Sequence, residues 1–95
     1  MRSREPSPLL ESMIGEVVVV DLKSSYVCLG TLVSRDHHFL ELKDADLHDL
    51  RDSTATREVY VYNSARLGIR RNRARVLISQ DDVVAIARYA EISEA

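Results

Sequence analysis

The stretch YVCLGTLVSRDHHFLEL, residues 26–42, decides how the rest of the chain is interpreted. Its first part, YVCLGTLVS, is largely apolar on both faces, which predicts a central strand in a tightly curved sheet. Gly30 lies within that strand, where glycine is unfavourable unless the chain bends or another backbone approaches closely. The following run, HFLELKDADL (38–47), alternates between apolar and polar residues and predicts another strand with Leu40 and Leu42 facing inward.

Asp36, His37 and His38 separate these two strands. Two adjacent histidines beside an aspartate are compatible with metal ligands, with a catalytic pair or with the tip of a tight turn. A closed zinc site normally has four ligands, and neighbouring side chains on a strand point to opposite faces. Both histidines could therefore bind one ion only from a turn, together with ligands from elsewhere.

The residues before this stretch predict a short helix and a first strand. Ser7 is a typical N-cap, Pro8 suits the first helical position and Gly15 suits the C-terminal end. The apolar face expected for this helix of about two turns consists of Leu9, Leu10, Met13 and Ile14. The β-branched run EVVVVDL (16–22) predicts the first strand.

The residues after it contain two more predicted strands and one ambiguous segment. RARVLIS (73–79) and DVVAIARY (82–89) predict the fourth and fifth strands.

Residues 47–69 can form a strand or a helix, and we favour a helix that is capped near Ser53 or Thr54 and ends at Gly68. The helical face expected from the spacing contains Val59, Tyr62, Arg66 and Ile69. We expect this insertion to lie outside the barrel, so that deletion of residues 50–66 leaves a folded β-protein.

The composition predicts one soluble domain. Of the 95 residues, 45% are hydrophobic and 29% are charged, which is typical of globular proteins. We expect a single domain over 7–92, with disordered tails at 1–6 and 93–95. The single Cys28 fits a reducing compartment, and neither a signal peptide nor a transmembrane segment is evident. These features predict a cytoplasmic protein that does not bind membranes.

The order of a short helix and five short, curved strands resembles the Sm-like (LSm) barrel. PLLESMIGEVVVVDL (8–22) is similar to the family's entry helix and first strand. GTL (30–32), Asp36 and LELKDA (40–45) resemble the first Sm motif, and ISQDDVVAI (78–86) has the spacing of the second, Ile-Arg-Gly-x-x-Val-x-x-Ile. The resemblance implies a mainly β fold, a strongly bent five-stranded barrel with an insertion between the third and fourth strands.

The resemblance also implies where RNA would bind. Family members that hold uridine-rich RNA use an asparagine in the turn, the arginine of the second motif and an aromatic or histidine ring that stacks on the base. In this chain Ser79 and Gln80 occupy the Arg-Gly positions, no asparagine lies between Asp36 and Leu40, and His38 falls at the stacking position. RNA binding is therefore expected to be weak and poorly selective for uridine.

The same comparison gives roles to the turn. In Sm-like rings the turn between the second and third strands lies near the central pore. Asp36 is expected to fix the turn by accepting backbone N–H bonds. His37 and His38 would then surround the pore and gain positive charge in mild acid, so RNA binding is expected to be stronger at pH 6 than at pH 8.

Charge is distributed unevenly along the chain. Residues 36–58 hold seven acidic and three basic side chains, whereas residues 66–75 hold five arginines and no acid. If the strand is extended from Arg71, then Arg71, Arg73 and Arg75 line one face and could follow a phosphate backbone. The residues expected to face the core are Ala74, Val76 and Ile78. The alternative is that these arginines dock on the acidic stretch of the same or a neighbouring chain.

Other chemistry is not indicated. Asp44, Asp46 and His48 are expected to share a strand face, but their spacing matches no recognised metal motif. Cys28 lies mid-strand among apolar residues, where no helix end or turn would activate its thiol. No glycine-rich phosphate loop or hydrolase motif occurs. We therefore predict a protein that is not an enzyme and has neither a metal nor a cofactor.

Two function classes remain. The first is an RNA-binding module that holds single-stranded RNA, and its candidate site residues are Asp36, His37, His38, Arg71, Arg73, Arg75, Ser79 and Gln80. The second is a structural or protein-interaction ring with no nucleic-acid role. In both classes we expect a homo-oligomer, because an open five-stranded barrel leaves the apolar fourth and fifth strands with unpaired backbone groups.

Overall fold

The structure, a computed structural model, describes residues 7–52 and 56–92. Within these residues the helices and strands are α1 (Pro8–Glu11), β1 (Val17–Leu22), β2 (Tyr26–Arg35), β3 (Phe39–Asp49), α2 (Arg57–Leu67), β4 (Arg73–Ser79) and β5 (Val83–Arg88). Short 3-10 turns follow three of the strands, at Leu50–Asp52, Gln80–Asp82 and Tyr89–Glu91. The tails predicted at 1–6 and 93–95 lie outside the described residues.

The N-terminal helix begins where the sequence predicts, but it is shorter. The Ser7 side chain accepts the N–H of Leu10 at 3.3 Å. The regular helix has only four residues and is followed by turns that lead to Gly15, whose φ is 93°. A helix of one turn can make few contacts with the core, so only two of the four residues of the predicted apolar face pack against it. Leu10 and Met13 pack against the core, whereas Leu9 and Ile14 are exposed.

The five strands form one antiparallel sheet in the order β4-β3-β2-β1-β5. The five predicted strands are thus confirmed. β4 and β5 are the two edges of the sheet, and each has a strand neighbour on one side only. In the described part of the chain no helix is both long and apolar enough to cross a lipid bilayer.

A β-bulge bends the sheet where Gly30 of β2 faces two residues of β3, Asp44 and Ala45. Asp44 has a φ of 49°, in the left-handed region that aspartate tolerates better than most residues. A side chain at Gly30 would not fit, because its Cβ would lie 2.8 Å from the Ala45 Cβ and 3.1 Å from the Lys43 carbonyl oxygen. Glycine is therefore required here for the close backbone approach that the sequence suggested.

The bulge changes which residues of β3 face the core. The inward side chains are Leu40 and Leu42 before the bulge, and Ala45 and Leu47 after it. Because an extra residue has been inserted, Asp46 and His48 point to the opposite face of the sheet. The expectation that Asp44 shares a strand face with them is wrong, since Asp44 is the bulged residue itself.

Both faces of the sheet are covered by apolar side chains, as a bent barrel requires. The inner cluster consists of Val18, Val20, Leu22, Cys28, Leu32, Leu40, Leu42, Ala45 and Ile78. The outer cluster consists of Val19, Val27, Leu29 and Val61. Burial raises the pKa of the Cys28 thiol to about 12, so Cys28 is a core residue and not a nucleophile at neutral pH.

The ambiguous insertion contains a helix, as favoured from the sequence. Thr56 caps it by accepting the N–H of Val59 at 3.2 Å, and Gly68 ends it with a φ of 95°. The predicted cap positions, Ser53 and Thr54, lie outside the described residues. The strand before it continues to Asp49, so residues 47–49 belong to β3 and not to the insertion.

The helix packs on the sheet with a face that the sequence did not predict. Val61 is only 7% exposed and belongs to the outer cluster, with Tyr60 packed against it, whereas Val59 is 46% exposed. The Arg57 guanidinium lies 3.6 Å from the Asp21 carboxylate. This ion pair holds the start of the helix against the C-terminal end of β1. The insertion is therefore part of the packed domain, and deletion of residues 50–66 would uncover the outer cluster.

Replacement of Val61 by alanine tests this packing. We expect the free energy of unfolding to fall by roughly 1–3 kcal/mol, because two buried methyl groups are lost from a packed site. The matched control is Val59→Ala on the same helix, which should change stability by no more than about 0.5 kcal/mol. Urea unfolding followed by circular dichroism measures both variants, and equal effects would show that α2 does not pack as described.

Candidate nucleic-acid interface

The turn between β2 and β3 is fixed by the carboxylate of Asp36. One of its oxygens accepts the backbone N–H groups of His38 and Phe39, each at 2.8 Å. The N–H of Asp36 in turn donates to the Phe39 carbonyl at 3.0 Å. These hydrogen bonds favour the ionised form and hold the pKa of Asp36 below its usual value. The structural role expected for Asp36 is thus present.

Gln80, from the 3-10 turn after β4, ties the same turn from the other side. Its backbone N–H donates to the His38 carbonyl at 2.8 Å. Its side-chain amide donates to the carbonyl oxygens of Asp36 at 2.6 Å and Phe39 at 3.4 Å. Ser79 lies opposite Phe39 in the β3–β4 register. Five of the predicted site residues, from two distant parts of the chain, therefore meet at one end of the sheet, namely Asp36, His37, His38, Ser79 and Gln80.

The two histidines lie exposed on this rigid turn. The centroids of the His37 and His38 rings are 6.4 Å apart, and the ring planes are inclined by 65°. Rings in this arrangement do not stack on each other, so each leaves a face open to a planar ligand. Their backbone is held by the Asp36 carboxylate and by Gln80, which reduces the conformational entropy that a ligand would have to remove.

The arginines do not join this site within one chain. β4 begins at Arg73, so Arg71 precedes the strand and does not line its face as predicted. Arg75 is four residues from Ser79, roughly 13 Å along the strand. Its guanidinium lies 3.0 Å from the Glu41 carboxylate, which partly neutralises its charge. Ala74, which was expected in the core, is exposed. It lies near the start of β4, an edge strand that has a neighbouring strand on one side only.

Sequence reasoning missed a second polar region at the other end of β3. Asp46 and His48 were interpreted as parts of a solvated face, but Asp46 is buried beneath α2 and the His48 ring stacks on Tyr60. The signal that could have revealed this is the change in apolar spacing from Leu40 and Leu42 to positions 45 and 47. Among the described residues, no group of three or more His, Cys, Asp or Glu side chains could hold a metal ion.

Two solved structures resemble this architecture. An Sm-like protein from Archaeoglobus fulgidus, AF-Sm2, has a TM-score of 0.60 and 18% sequence identity over 93% of this chain and 99% of its own. A Sm protein from Pyrococcus abyssii, solved in complex with a uridine heptamer, has a TM-score of 0.57 and 19% identity over 90% of this chain and 99% of its own. No protein-family model and no curated protein matches the sequence.

The chain therefore has the Sm fold. The short entry helix, the five-stranded bent antiparallel sheet and the turn that carries Asp36 all occur in the order that the resemblance implied.

Proposed function

We propose that the protein is a member of the Sm-like family and closes into a homo-oligomeric ring through the edges of β4 and β5. The observation that carries this proposal is that both edge strands expose large apolar side chains. Leu77 on β4 is 60% exposed and Val84 on β5 is 65% exposed. Unpaired, apolar edges of this kind pair readily with another strand, and pairing of β4 with β5 of the next subunit would cover both.

We further propose that the ring binds single-stranded RNA at the turn formed by residues 36–38. Support comes from the exposed imidazoles on a pre-formed turn and from the fold shared with a protein that was solved with a uridine heptamer. Aromatic rings that face solvent next to a pore are suitable platforms for unstacked bases. Arg71 and Arg73 would contribute phosphate contacts from a different part of the surface.

Uridine selectivity is not part of this proposal. The side-chain amide nitrogen of Gln80 already donates to two carbonyl oxygens of the turn, so its N–H groups are not free to read a base. Ser79 can offer only a short hydroxyl where the second Sm motif has an arginine. The binding should therefore depend on stacking and charge, which distinguish bases poorly. No catalytic role, cofactor or metal enters the proposal, and a cytoplasmic location remains our expectation.

A second candidate function is a ring that binds other proteins and no nucleic acid. The observation in its favour is the pairing of Arg75 with Glu41, because it shows acidic and basic side chains neutralising each other within the chain. Similar pairs join Arg88 to Glu16 and Arg57 to Asp21. In this function the arginine-rich segment would serve assembly or a protein partner. The RNA-binding experiment below separates the two candidates.

The assembly is tested by measuring mass in solution. We expect a multiple of 10.8 kDa for the wild type by size-exclusion chromatography with light scattering at micromolar concentration. Val84→Glu places a charge on the β5 edge and should shift the mass toward the monomer. The matched control is Val59→Glu, which changes an exposed valine on α2 and should leave the oligomer intact. A wild-type mass near 10.8 kDa would contradict the ring.

The RNA proposal is tested with labelled oligouridine and oligoadenosine by fluorescence anisotropy. Histidine gains positive charge as the pH falls from 8 to 6, so we expect binding at least about threefold tighter at pH 6 for both oligonucleotides. His37→Ala/His38→Ala should remove this pH dependence without changing the fold, because both side chains are exposed. Tight uridine-selective binding that ignores both histidines would contradict the proposed site. Absence of binding at low salt would favour the protein-interaction ring.

A further inference from the structure

A cleft of about 680 Å³ lies between α2 and the far end of β3, at the opposite end of β3 from the histidine turn. Its volume is within the roughly 300–1,000 Å³ range of sites that bind small organic molecules. The side chains that matter for its chemistry are Asp46, His48, Tyr60, Asn63 and Arg70. They come from β3, from α2 and from the segment that follows α2, so the insertion creates the cleft.

A buried carboxylate forms one wall. Asp46 is only 4% exposed, and among the described residues it has no ion pair with an arginine or lysine. The Tyr60 hydroxyl donates a hydrogen bond to Oδ2 of Asp46. Burial, and then the contact with Asp46, raises the pKa of Tyr60, so this hydroxyl keeps its proton and remains a donor. A carboxylate can accept about four hydrogen bonds, so Asp46 retains capacity for donors on a ligand.

Flat rings lie beside the carboxylate. His48 and Tyr60 stack with ring centroids 4.2 Å apart and planes inclined by only 7°. Nε2 of His48 is buried and has no hydrogen-bond partner among the described residues. A buried polar atom without a partner is unusual in a folded protein, because the lost contact with water is not replaced. A planar ligand with polar edges would complement the flat rings that lie beside the carboxylate.

We propose that this cleft binds the guanine base of a guanosine nucleotide. Only guanine presents two adjacent donors, the N1–H and the exocyclic amino group, with which it can approach a carboxylate. Adenine and cytosine place an acceptor nitrogen beside their amino group, and uracil flanks its N–H with two carbonyl oxygens. These acceptors would face the Asp46 carboxylate and be repelled. The guanine carbonyl oxygen can in turn accept a hydrogen bond from the amide of Asn63.

The guanidinium of Arg70 adds a site for the phosphate. Arg70 lies at the exposed side of the cleft, beyond the C-terminal end of α2, and guanidinium groups match phosphate geometry well. The ligand therefore combines a donor-rich base with an anionic group. A free guanine nucleotide and a guanosine within RNA share this chemistry. The site does not depend on the histidine turn or on the ring, because all its side chains belong to one chain.

Calorimetric titration of the full-length protein with GMP, AMP, CMP and UMP tests the base preference. We expect GMP to bind at least about tenfold more tightly than the other three, as a good two-donor contact discriminates between bases. Asp46→Asn should weaken GMP binding by about tenfold or more, because its amide directs N–H groups at the guanine donors. Its oxygen can still accept the Tyr60 hydroxyl, which preserves the fold, and circular dichroism checks this.

A second variant keeps the proposal testable if Asp46→Asn does not fold. Arg70→Ala should weaken GMP binding several-fold and leave binding of guanosine, which lacks the phosphate, unchanged. Arg66→Ala, which replaces an exposed arginine of α2 that does not line the cleft, is the matched control and should bind GMP normally.

Oligouridine with and without one internal guanosine distinguishes the two sources of the base. Binding of GMP indicates a free nucleotide. If GMP does not bind but the oligonucleotide binds only when it contains guanosine, and Asp46→Asn abolishes that binding, the ligand is RNA. Either result supports the site. Equal binding of all four nucleotides, or binding of GMP that Asp46→Asn and Arg70→Ala do not affect, would overturn the proposal. Absence of any guanine-dependent binding to GMP or to the oligonucleotide would also overturn it.

Discussion

The close approach of Gly30 to Ala45 is the constraint on which the rest of the structure depends. Because Gly30 has no side chain, β2 can face two residues of β3 at once, and the sheet bends at this bulge. The extra residue, Asp44, reverses the alternation of β3 and thereby places Ala45 in the inner core. The same reversal turns Asp46 outward, beneath α2. One bulge therefore sets both the curvature of the sheet and the position of the polar cleft.

β3 connects the two candidate binding regions. Its first residue follows the turn that carries the exposed histidines, and its last residues form the floor of the cleft under α2. The two regions differ in chemistry. The turn offers exposed rings and carbonyl groups that are already hydrogen-bonded, which suits weak and unselective contacts. The cleft offers a buried carboxylate, which suits a ligand with matched donors. Binding at one end need not imply binding at the other.

Local patterns in the sequence predicted most of the fold. Alternation and β-branched runs identified all five strands. The resemblance to Sm-like proteins placed Asp36 in the turn, where an aspartate carboxylate accepts backbone N–H bonds. The face of α2 could not be predicted, because Val61 packs on an outer cluster whose existence depends on the bend of the sheet. The role of Asp46 was missed for a related reason. A single bulged residue reverses the alternation beyond it, and in the sequence only the change in apolar spacing after Leu42 marks its position.

Gly30→Ala tests the central constraint most directly, through urea unfolding of the wild type, the single variant and the double variant Gly30→Ala/Ala45→Gly. We expect the single variant to lose roughly 1–3 kcal/mol of unfolding free energy, because its Cβ would press on Ala45 and on the backbone of β3. A double-mutant cycle that includes Ala45→Gly should show a favourable coupling of at least about 0.5 kcal/mol, since the nearest clashing atom is then removed. An unchanged stability for Gly30→Ala, with no coupling to Ala45, would contradict the account.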